Sequence, residues 1–409
     1  MKSFRVIAAL FFSFAFVQIS FSQGQTALPV LQLNPSPRLN GLGEIGVSLP
    51  NHDPYGFYYN PAQLGYMSQT ENLSYQLDPS TSHWMPYVFH GVYKNTSFNI
   101  GYNFEKLLNG LKLSAGFGYI HSKMDYGLSG NPILNDSYDG YNAYGFGVGL
   151  DYYIQISAGL TYKSIHSVLP SFSFNDSKSV EADVSTMDYG LLMTIPVTKL
   201  IEPDLHFNVL QSIPAMPYFN ISMGYSQLNI GKEIYYIDPA QSDPLPRTAR
   251  LGYTLSAGLD IKLNNSILRA FEYDFIAEAD NILAQVDLTN NTVNYQGLTG
   301  DIVFGKNLIE LKGDDNVTVH KGNNFSFFET IDFMIGRFDG QGFRQEKSYG
   351  FGVRIKGIFT LLKAYTSDRV FNYIADHFDV QYYSSTLFPE DVRETKLSGL
   401  NVSFGGFEF

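Results

Sequence analysis

The sequence predicts an all-β fold, namely a transmembrane antiparallel β-barrel of about 14 strands with an N-terminal plug-like segment. The first observation is a series of stretches in which apolar and polar residues alternate over about ten residues, the length of a tilted membrane-spanning strand. In residues 251–263 every odd position is Leu, Tyr, Ala or Ile, and the even positions are Gly, Thr, Ser, Asp and Lys. The second observation is the aromatic C-terminus, where Phe407 and Phe409 are predicted to act as the barrel insertion signal.

A water-soluble β-sandwich also has alternating strands, because one face of each sheet is buried in a core. The spacing of the connections favours the barrel. Short connections are predicted near Asn109, Asp151, Asn264 and Asn307, whereas long polar stretches cover residues 122–140, 164–183, 234–246, 280–296 and 313–324. Short turns at one end and long loops at the other are typical of outer-membrane barrels, so we predict an outer-membrane location.

The first residues predict export. Lys2 and Arg5 precede an apolar run from Val6 to Val17, and small residues follow at Ser20 and Ser22. This pattern is typical of a secretory signal peptide covering residues 1–22. We expect residues 23–71 to form the plug segment in the lumen and residues 72–409 to form the barrel, because no linker-like tract divides the strand pattern.

Composition excludes several classes of function. The chain contains no cysteine, which excludes a thiol nucleophile, a disulfide and a metal site with cysteine ligands. The formal net charge of -12 argues against nucleic acid as a partner. The eight histidines are scattered and do not have the spacing of metal ligands or catalytic residues. The sequence also shows no recognisable catalytic set of a serine nucleophile, a base and an orienting group. We therefore predict neither enzymatic activity nor a cofactor or metal.

The N-terminal segment contains the most specific motif. Gly41, Gly43 and Gly46 spell G-x-G-x-x-G, but prolines precede them where a dinucleotide-binding fold requires a strand, so that interpretation is weak. Glycines at this spacing also let a backbone approach a barrel wall closely. Arg38 precedes them, and we expect it to pair with an inward carboxylate such as Asp260 or Glu272.

An arginine, closely spaced glycines and an aromatic followed by Asn60-Pro61-Ala62 resemble the start of the PorV and PorQ proteins of the type IX secretion system. These belong to a superfamily with the FadL transporters of hydrophobic substrates. Further elements of the resemblance are Leu245-Pro246, Arg250-Leu251-Gly252 and Tyr349-Gly350-Phe351-Gly352. The resemblance implies a barrel of fourteen strands whose N-terminal segment lies in or against the lumen, with Arg38, Gly41, Gly43, Gly46, Asn60, Pro61 and Ala62 as its plug motif.

Two functions are implied by this resemblance, and both use the same fold. PorV-like proteins bind the signal domains of secreted cargo and carry them to the attachment machinery, which implies outer-membrane lipid, cargo proteins and other secretion components as partners. A FadL-like protein instead passes a hydrophobic small molecule through an apolar pocket beside the plug. A plug that only fills space is a third interpretation of the N-terminal segment.

Overall fold

The computed structural model describes residues 26–70, 73–88, 91–126, 137–169, 180–209, 213–264, 266–287, 292–366 and 368–406. The predicted signal peptide, residues 1–22, and the C-terminal aromatics Phe407 and Phe409 lie outside the described residues.

In the described ranges, fourteen long antiparallel strands form one closed sheet. They are β1 (Leu73–Trp84), β2 (Gly91–Asn103), β3 (Lys112–Asp125), β4 (Tyr138–Tyr152), β5 (Ile154–Leu169), β6 (Val180–Pro196), β7 (Ile213–Gly231), β8 (Thr248–Leu263), β9 (Ser266–Ile282), β10 (Val317–Phe327), β11 (Ile331–Gly340), β12 (Phe343–Arg354), β13 (Phe378–Leu387) and β14 (Thr395–Phe404). Each strand pairs with its neighbours along the chain, and β1 pairs with β14, as in Tyr75 opposite Phe404. The ring also contains the β6–β7 pair, where Thr194 lies opposite Ser222. The predicted barrel is confirmed, and the two stacked sheets of a sandwich are excluded.

Short elements accompany the barrel strands. The helices are α1 (Pro37–Gly41), α2 (Gln63–Thr70), α3 (Val197–Ile201), α4 (Lys356–Tyr365) and α5 (Arg369–His377). Three short strands, Phe207–Val209, Ala284–Asp287 and Thr292–Tyr295, and a π-helical turn, Phe304–Ile309, lie in the connections. Within the described ranges, none of the helices has the length and apolar character needed to traverse a bilayer.

The two rims of the barrel carry different connections. We call the rim at which β1 begins and β14 ends the near rim, and the opposite one the far rim. Short turns follow β4 and β8 at the near rim, near Asp151 and Asn264 as predicted, and the connection through Asn109 lies there too. The sorting by length is incomplete, because the near rim also carries α4 and α5 while the far rim has a two-residue turn between β11 and β12.

Two of the predicted connections are wrong. Asn307 lies within the long far-rim connection between β9 and β10, in the π-helical turn, where its side chain accepts a hydrogen bond from the N–H group of Val303 (2.7 Å). Residues 313–324 are not a loop, since β10 begins at Val317. The polar run at residues 320–324 belongs to a strand with one face in the lumen, which resembles a loop in composition.

Alternation along each strand separates the two faces of the wall. In β8, Gly252 and Thr254 are buried toward the lumen, while Leu251, Tyr253 and Leu255 on the outer face are half-buried. Large apolar side chains stand exposed around the outer surface, including Phe117, Phe146, Val148, Leu160, Leu191, Phe333 and Phe351. A continuous exposed apolar belt is rare on water-soluble monomers and is the feature that lipid-facing barrel walls share.

Candidate functional site in the barrel lumen

The N-terminal segment crosses the lumen from the far rim to the near rim. At the far rim, the hydroxyl of Tyr93, near the start of β2, donates a hydrogen bond to the carbonyl oxygen of Leu33 (2.8 Å). At the near rim, the amide of Asn103, the last residue of β2, donates to the carbonyl oxygen of Gln69 (2.8 Å). Residues 26–70 therefore occupy the interior along its length, and we call them the plug.

The three glycines of the motif lie so close to the wall or to another part of the plug that an added Cβ atom would clash. A Cβ atom added at Gly41 would lie 2.9 Å from the Cα atom of Gly350 on β12. Gly43 has a φ of +89°, and a Cβ atom there would lie 2.9 Å from the backbone nitrogen of Arg337 on β11. A Cβ atom at Gly46 would lie 2.9 Å from the ring of Tyr59. Side chains are excluded at all three positions by close approach, and at Gly43 by conformation as well.

A buried carboxylate of the wall binds the backbone that follows this motif. Glu278 on β9 is fully buried and accepts hydrogen bonds from the N–H groups of Gly46 (2.9 Å), Val47 (3.1 Å) and Ser48 (2.8 Å). The hydroxyl of Ser48 also donates to it (3.0 Å). Three successive N–H groups that point at one anion form a backbone nest, which is a strong and geometrically specific contact.

Arg250 on β8 joins the plug to the charges of the wall. Its Nη2 atom lies 2.8 Å from the carbonyl oxygen of Glu44, 4.0 Å from the carboxylate of Glu278 and 3.6 Å from that of Asp280. The guanidinium lies 3.7 Å from the ring centroid of Tyr59, a cation–π distance. Arg250 is buried, so these contacts replace the water that it loses.

His320 on β10 extends this network to the glycine motif. Its Nε2 atom lies 2.8 Å from the carboxylate of Asp280, and its Nδ1 atom lies 2.6 Å from the carbonyl oxygen of Gly43. Strands β8, β9 and β10 thus each contribute charged or polar side chains to the same stretch of plug. The sequence motifs include Arg250 but miss Glu278, Asp280 and His320, although carboxylates at even positions along β9 are a signal that could have found two of them.

Arg38 does not have the partners that the sequence suggested. Asp260 and Glu272 bind Arg269 instead, at 3.0 and 2.8 Å. Arg269 precedes Glu272 by three residues on β9 and lies across from Asp260 in the β8–β9 hairpin, so the wall itself satisfies both carboxylates. The guanidinium of Arg38 lies 5.9 Å from the ring centroid of Tyr383 and borders the near-rim cavity.

The Asn60-Pro61-Ala62 motif binds the opposite wall. The amide nitrogen of Asn60 donates to the carbonyl oxygens of Val47 (2.7 Å) and Leu191 on β6 (2.9 Å), while its oxygen accepts from the N–H group of Ala62 (3.0 Å). Pro61 contacts β5 where a Cβ atom at Gly159 would lie 2.3 Å from its carbonyl oxygen. The motif ties one part of the plug to another and both to the wall.

A polar cavity of about 540 Å³ lies between the plug and the near rim. Its lining includes cations and carboxylates of the plug and the wall, among them Arg38, Asp53, Arg269, Glu272 and Arg354. Within the plug, burial and then the charges of Lys356 and Arg38 lower the pKa of His52 to about 4. Burial raises the pKa of Asp53, against the hydrogen bond that it accepts from Ser36.

A smaller cavity of about 240 Å³ lies on the far-rim side of the plug. Aromatic and aliphatic side chains line much of it, including Trp84, Phe338, Phe343 and Phe388, and Arg250 borders it too. Its character is therefore apolar with a few polar groups, the usual composition of a small-molecule pocket. Among the described residues, no group of three or more His, Cys, Asp or Glu side chains is placed to hold a metal ion.

The fold and the lumen define a closed β-barrel with an N-terminal plug. No protein-family model matches the chain, and no curated protein matches it. Among solved structures, the chain is similar to the CymD monoaromatic hydrocarbon channel (11% identity, 92% of this chain and 98% of that one, TM-score 0.39). It is also similar to a Pseudomonas aeruginosa FadL homologue (8% identity, 91% of this chain and 98% of that one, TM-score 0.37). A third similar structure is the P. putida toluene transporter TodX (10% identity, 90% of this chain and 100% of that one, TM-score 0.35). Similarity at this level assigns neither family nor function.

Proposed function

We propose that the protein spans the outer membrane as a PorV/PorQ-type component of type IX protein secretion that binds or shuttles cargo proteins at the cell surface. In this proposal it is not an enzyme and needs no cofactor; its partners are outer-membrane lipid, secreted cargo and other secretion components. The observation that carries the proposal is the plug bonded to the wall through Glu278, Arg250 and Asn60. A barrel whose plug is bonded to the wall in this way suits a scaffold that presents its rim to a protein.

The exposed apolar belt supports the membrane location. In lipid, backbone polar groups must be satisfied internally, and a closed sheet achieves this because it has no edge strand. The belt residues Phe117, Leu160 and Phe351 are exposed on the outer face, whereas the inner wall meets the plug. Lipid around the belt gives these side chains the apolar surroundings that water does not.

The far rim offers a surface for a protein partner. Its connections expose Tyr87, Ile237 and Val392, which are 76%, 78% and 68% accessible. Aromatic and aliphatic residues surrounded by polar loops are typical of protein–protein contact surfaces. We place cargo recognition on this rim because the longest connection, residues 283–316, lies there, and outer-membrane barrels carry their long loops on the extracellular side.

A complementation experiment tests this function. A strain that lacks the gene receives the wild type, a far-rim variant or a near-rim control. The far-rim variant carries Tyr87→Ser, Ile237→Ser and Val392→Ser. The near-rim control carries Leu107→Ser, Tyr153→Ser and Ile201→Ser, at residues that are similarly exposed. We expect the far-rim variant to recover cargo poorly in pull-downs from native membranes and to leave it in the periplasm, while the control resembles the wild type. Equal cargo secretion with an empty vector contradicts the proposal.

The far-rim cavity favours a second candidate, a FadL-like channel for hydrophobic small molecules. The chain contains one tryptophan, Trp84, and it lines the cavity. Its emission therefore reports occupancy directly. A channel predicts a saturable change of Trp84 emission on titration with a single-ring aromatic compound, and reduced uptake of that compound on deletion. An unchanged emission spectrum at saturating compound argues against this candidate.

A further inference from the structure

A helical hairpin at the near rim has no part in the function proposed above. It consists of α4 and α5, which connect β12 to β13. Two features of this hairpin point to a role: the direction in which α4 runs, and the side of the wall on which it lies.

Helix α4 runs along the rim rather than along the barrel axis. Near its start, the N–H group of Gly357 donates to the carbonyl oxygen of Glu329 in the β10–β11 turn (3.3 Å). Near its end, the carbonyl oxygen of Ala364 accepts from the side-chain amide of Asn264 in the β8–β9 turn (2.6 Å). A helix of ten residues is about 15 Å long, enough to connect these two turns.

This helix packs on the outer face of the wall. Leu268 on β9 is fully buried, in a cluster with Leu263 and Ala364. Its neighbour Arg269 lines the near-rim cavity, so alternation directs Leu268 outward. The side chain is therefore covered by α4 and not by the plug. The hairpin lies where the apolar belt of the wall ends.

The uncovered side of the hairpin is apolar. Tyr365 is 71% exposed and Ile358 on the same helix is 46% exposed. Val370 and Tyr373, three residues apart on one face of α5, are 63% and 59% exposed. A cationic side chain, Arg369, is exposed beside these residues at the start of α5, while Lys363 is paired with Asp376.

We propose that the α4–α5 hairpin is a membrane-interface anchor that binds phospholipid in the leaflet at the near rim. Its exposed apolar side chains enter the boundary between headgroups and acyl chains, and the exposed Arg369 faces lipid phosphates. An amphipathic helix in this position lies in the plane of the membrane, ~5–10 Å deep on its apolar side. Continuity with the belt and the tangential direction of α4 select lipid over a protein partner. The inference rests on the proposal that the barrel spans a membrane.

Fluorescence of single tryptophans tests this anchor. In a Trp84→Phe background, Tyr365→Trp places the one indole on the hairpin. The purified protein is reconstituted into phosphatidylcholine vesicles brominated either near the headgroup or near the end of one acyl chain. We expect the shallow bromine to reduce the emission of the Tyr365→Trp variant roughly twofold and the deep bromine to have less effect, as an interfacial depth requires. Tyr373→Trp repeats the measurement on α5.

Two matched variants separate this inference from the membrane proposal. Phe351→Trp lies in the belt and Val392→Trp on a far-rim loop, and both parent side chains are exposed. We expect the deep bromine to quench the indole of Phe351→Trp. Neither bromine is expected to quench the indole of Val392→Trp. A quenched belt position, together with unquenched indoles at positions 365 and 373, overturns the anchor alone and favours a protein partner for the hairpin. An unquenched belt position overturns the membrane location as well.

Discussion

The inner and outer faces of β8 and β9 come from the same strands in alternation, yet they are built differently. On the inner face, Glu278 and Arg250 each bind specific atoms of the plug, and Thr254 contacts Ser48 at 3.0 Å. On the outer face, Tyr253 and Phe275 lie with ring centroids 6.3 Å apart and point away from the plug. The inner face is specific to one partner segment, whereas the outer face needs only to be apolar.

This contrast predicts that substitutions on the inner face are costly and those on the outer face are mild. The largest effect is expected for Glu278→Ala. It leaves three N–H groups of the plug without their acceptor and Arg250 without one of its two carboxylates, at a cost of about 3–5 kcal/mol. The free energy of unfolding, from urea titration in lipid vesicles, measures this loss. Phe275→Leu on the same strand is the control, and a similar loss there contradicts the contrast.

The glycine motif gives the next effect. Gly43→Ala adds a Cβ atom at a φ of +89° and 2.9 Å from the backbone of Arg337. We expect a loss of about 1–3 kcal/mol in the same titration.

Two glycine controls separate conformation from contact. Gly110 has a φ of +94° with no atom within 4 Å of an added Cβ, and Gly297 has neither feature. We expect Gly110→Ala to cost about 1 kcal/mol and Gly297→Ala less than about 0.5 kcal/mol. If the three alanine variants were equally stable, close approach to the wall would not be what the motif provides.

Asn60→Ala is expected to have a smaller effect, of about 1–2 kcal/mol, because the three hydrogen bonds that it removes are neutral and no buried charge loses its partner. Proteolysis of the plug in detergent-solubilised protein should be faster in this variant. Asn208→Ala, at an exposed position in a near-rim connection, is the matched control. Equal rates for the two variants would remove Asn60 from the plug contacts.

The last prediction concerns the dependence of stability on pH. The folded protein holds the pKa of His52 at about 4, below the ordinary 6.5, so between these values the unfolded chain binds a proton that the folded one does not. The stability that depends on this group is therefore complete above pH ~6.5 and falls as the pH drops toward 4. We expect the urea midpoint of His52→Gln to fall less than that of the wild type between neutral and acidic pH. A variant whose pH profile matched that of the wild type would show that the folded protein does not hold the pKa of His52 low.

Sequence patterns predicted the outer face better than the inner one, for a physical reason. An outward side chain of the barrel needs only to be apolar, so the alternation in residues 251–263 identifies it directly. An inward side chain is defined by its partner, which depends on strand register and on the path of the plug. Glycines at 41, 43 and 46 were recognisable because close approach excludes every other residue, but the partners of Arg38 were assigned wrongly because Arg269 binds the same carboxylates from within the wall.

Cross-linking tests the central claim, a plug fixed to the inner wall of a closed barrel. The chain contains no cysteine, so any disulfide that forms must join the two introduced cysteines. Ser48→Cys with Thr254→Cys joins plug and wall, where the hydroxyls are 3.0 Å apart, and Thr194→Cys with Ser222→Cys joins β6 and β7, where they are 2.9 Å apart. Both pairs should form disulfides in intact membranes. The mixed pair Ser48→Cys with Ser114→Cys should not, because Ser114 on β3 contacts a different part of the plug, the carbonyl oxygen of Gly65. Failure of the first pair, or equal cross-linking of the mixed pair, contradicts the account.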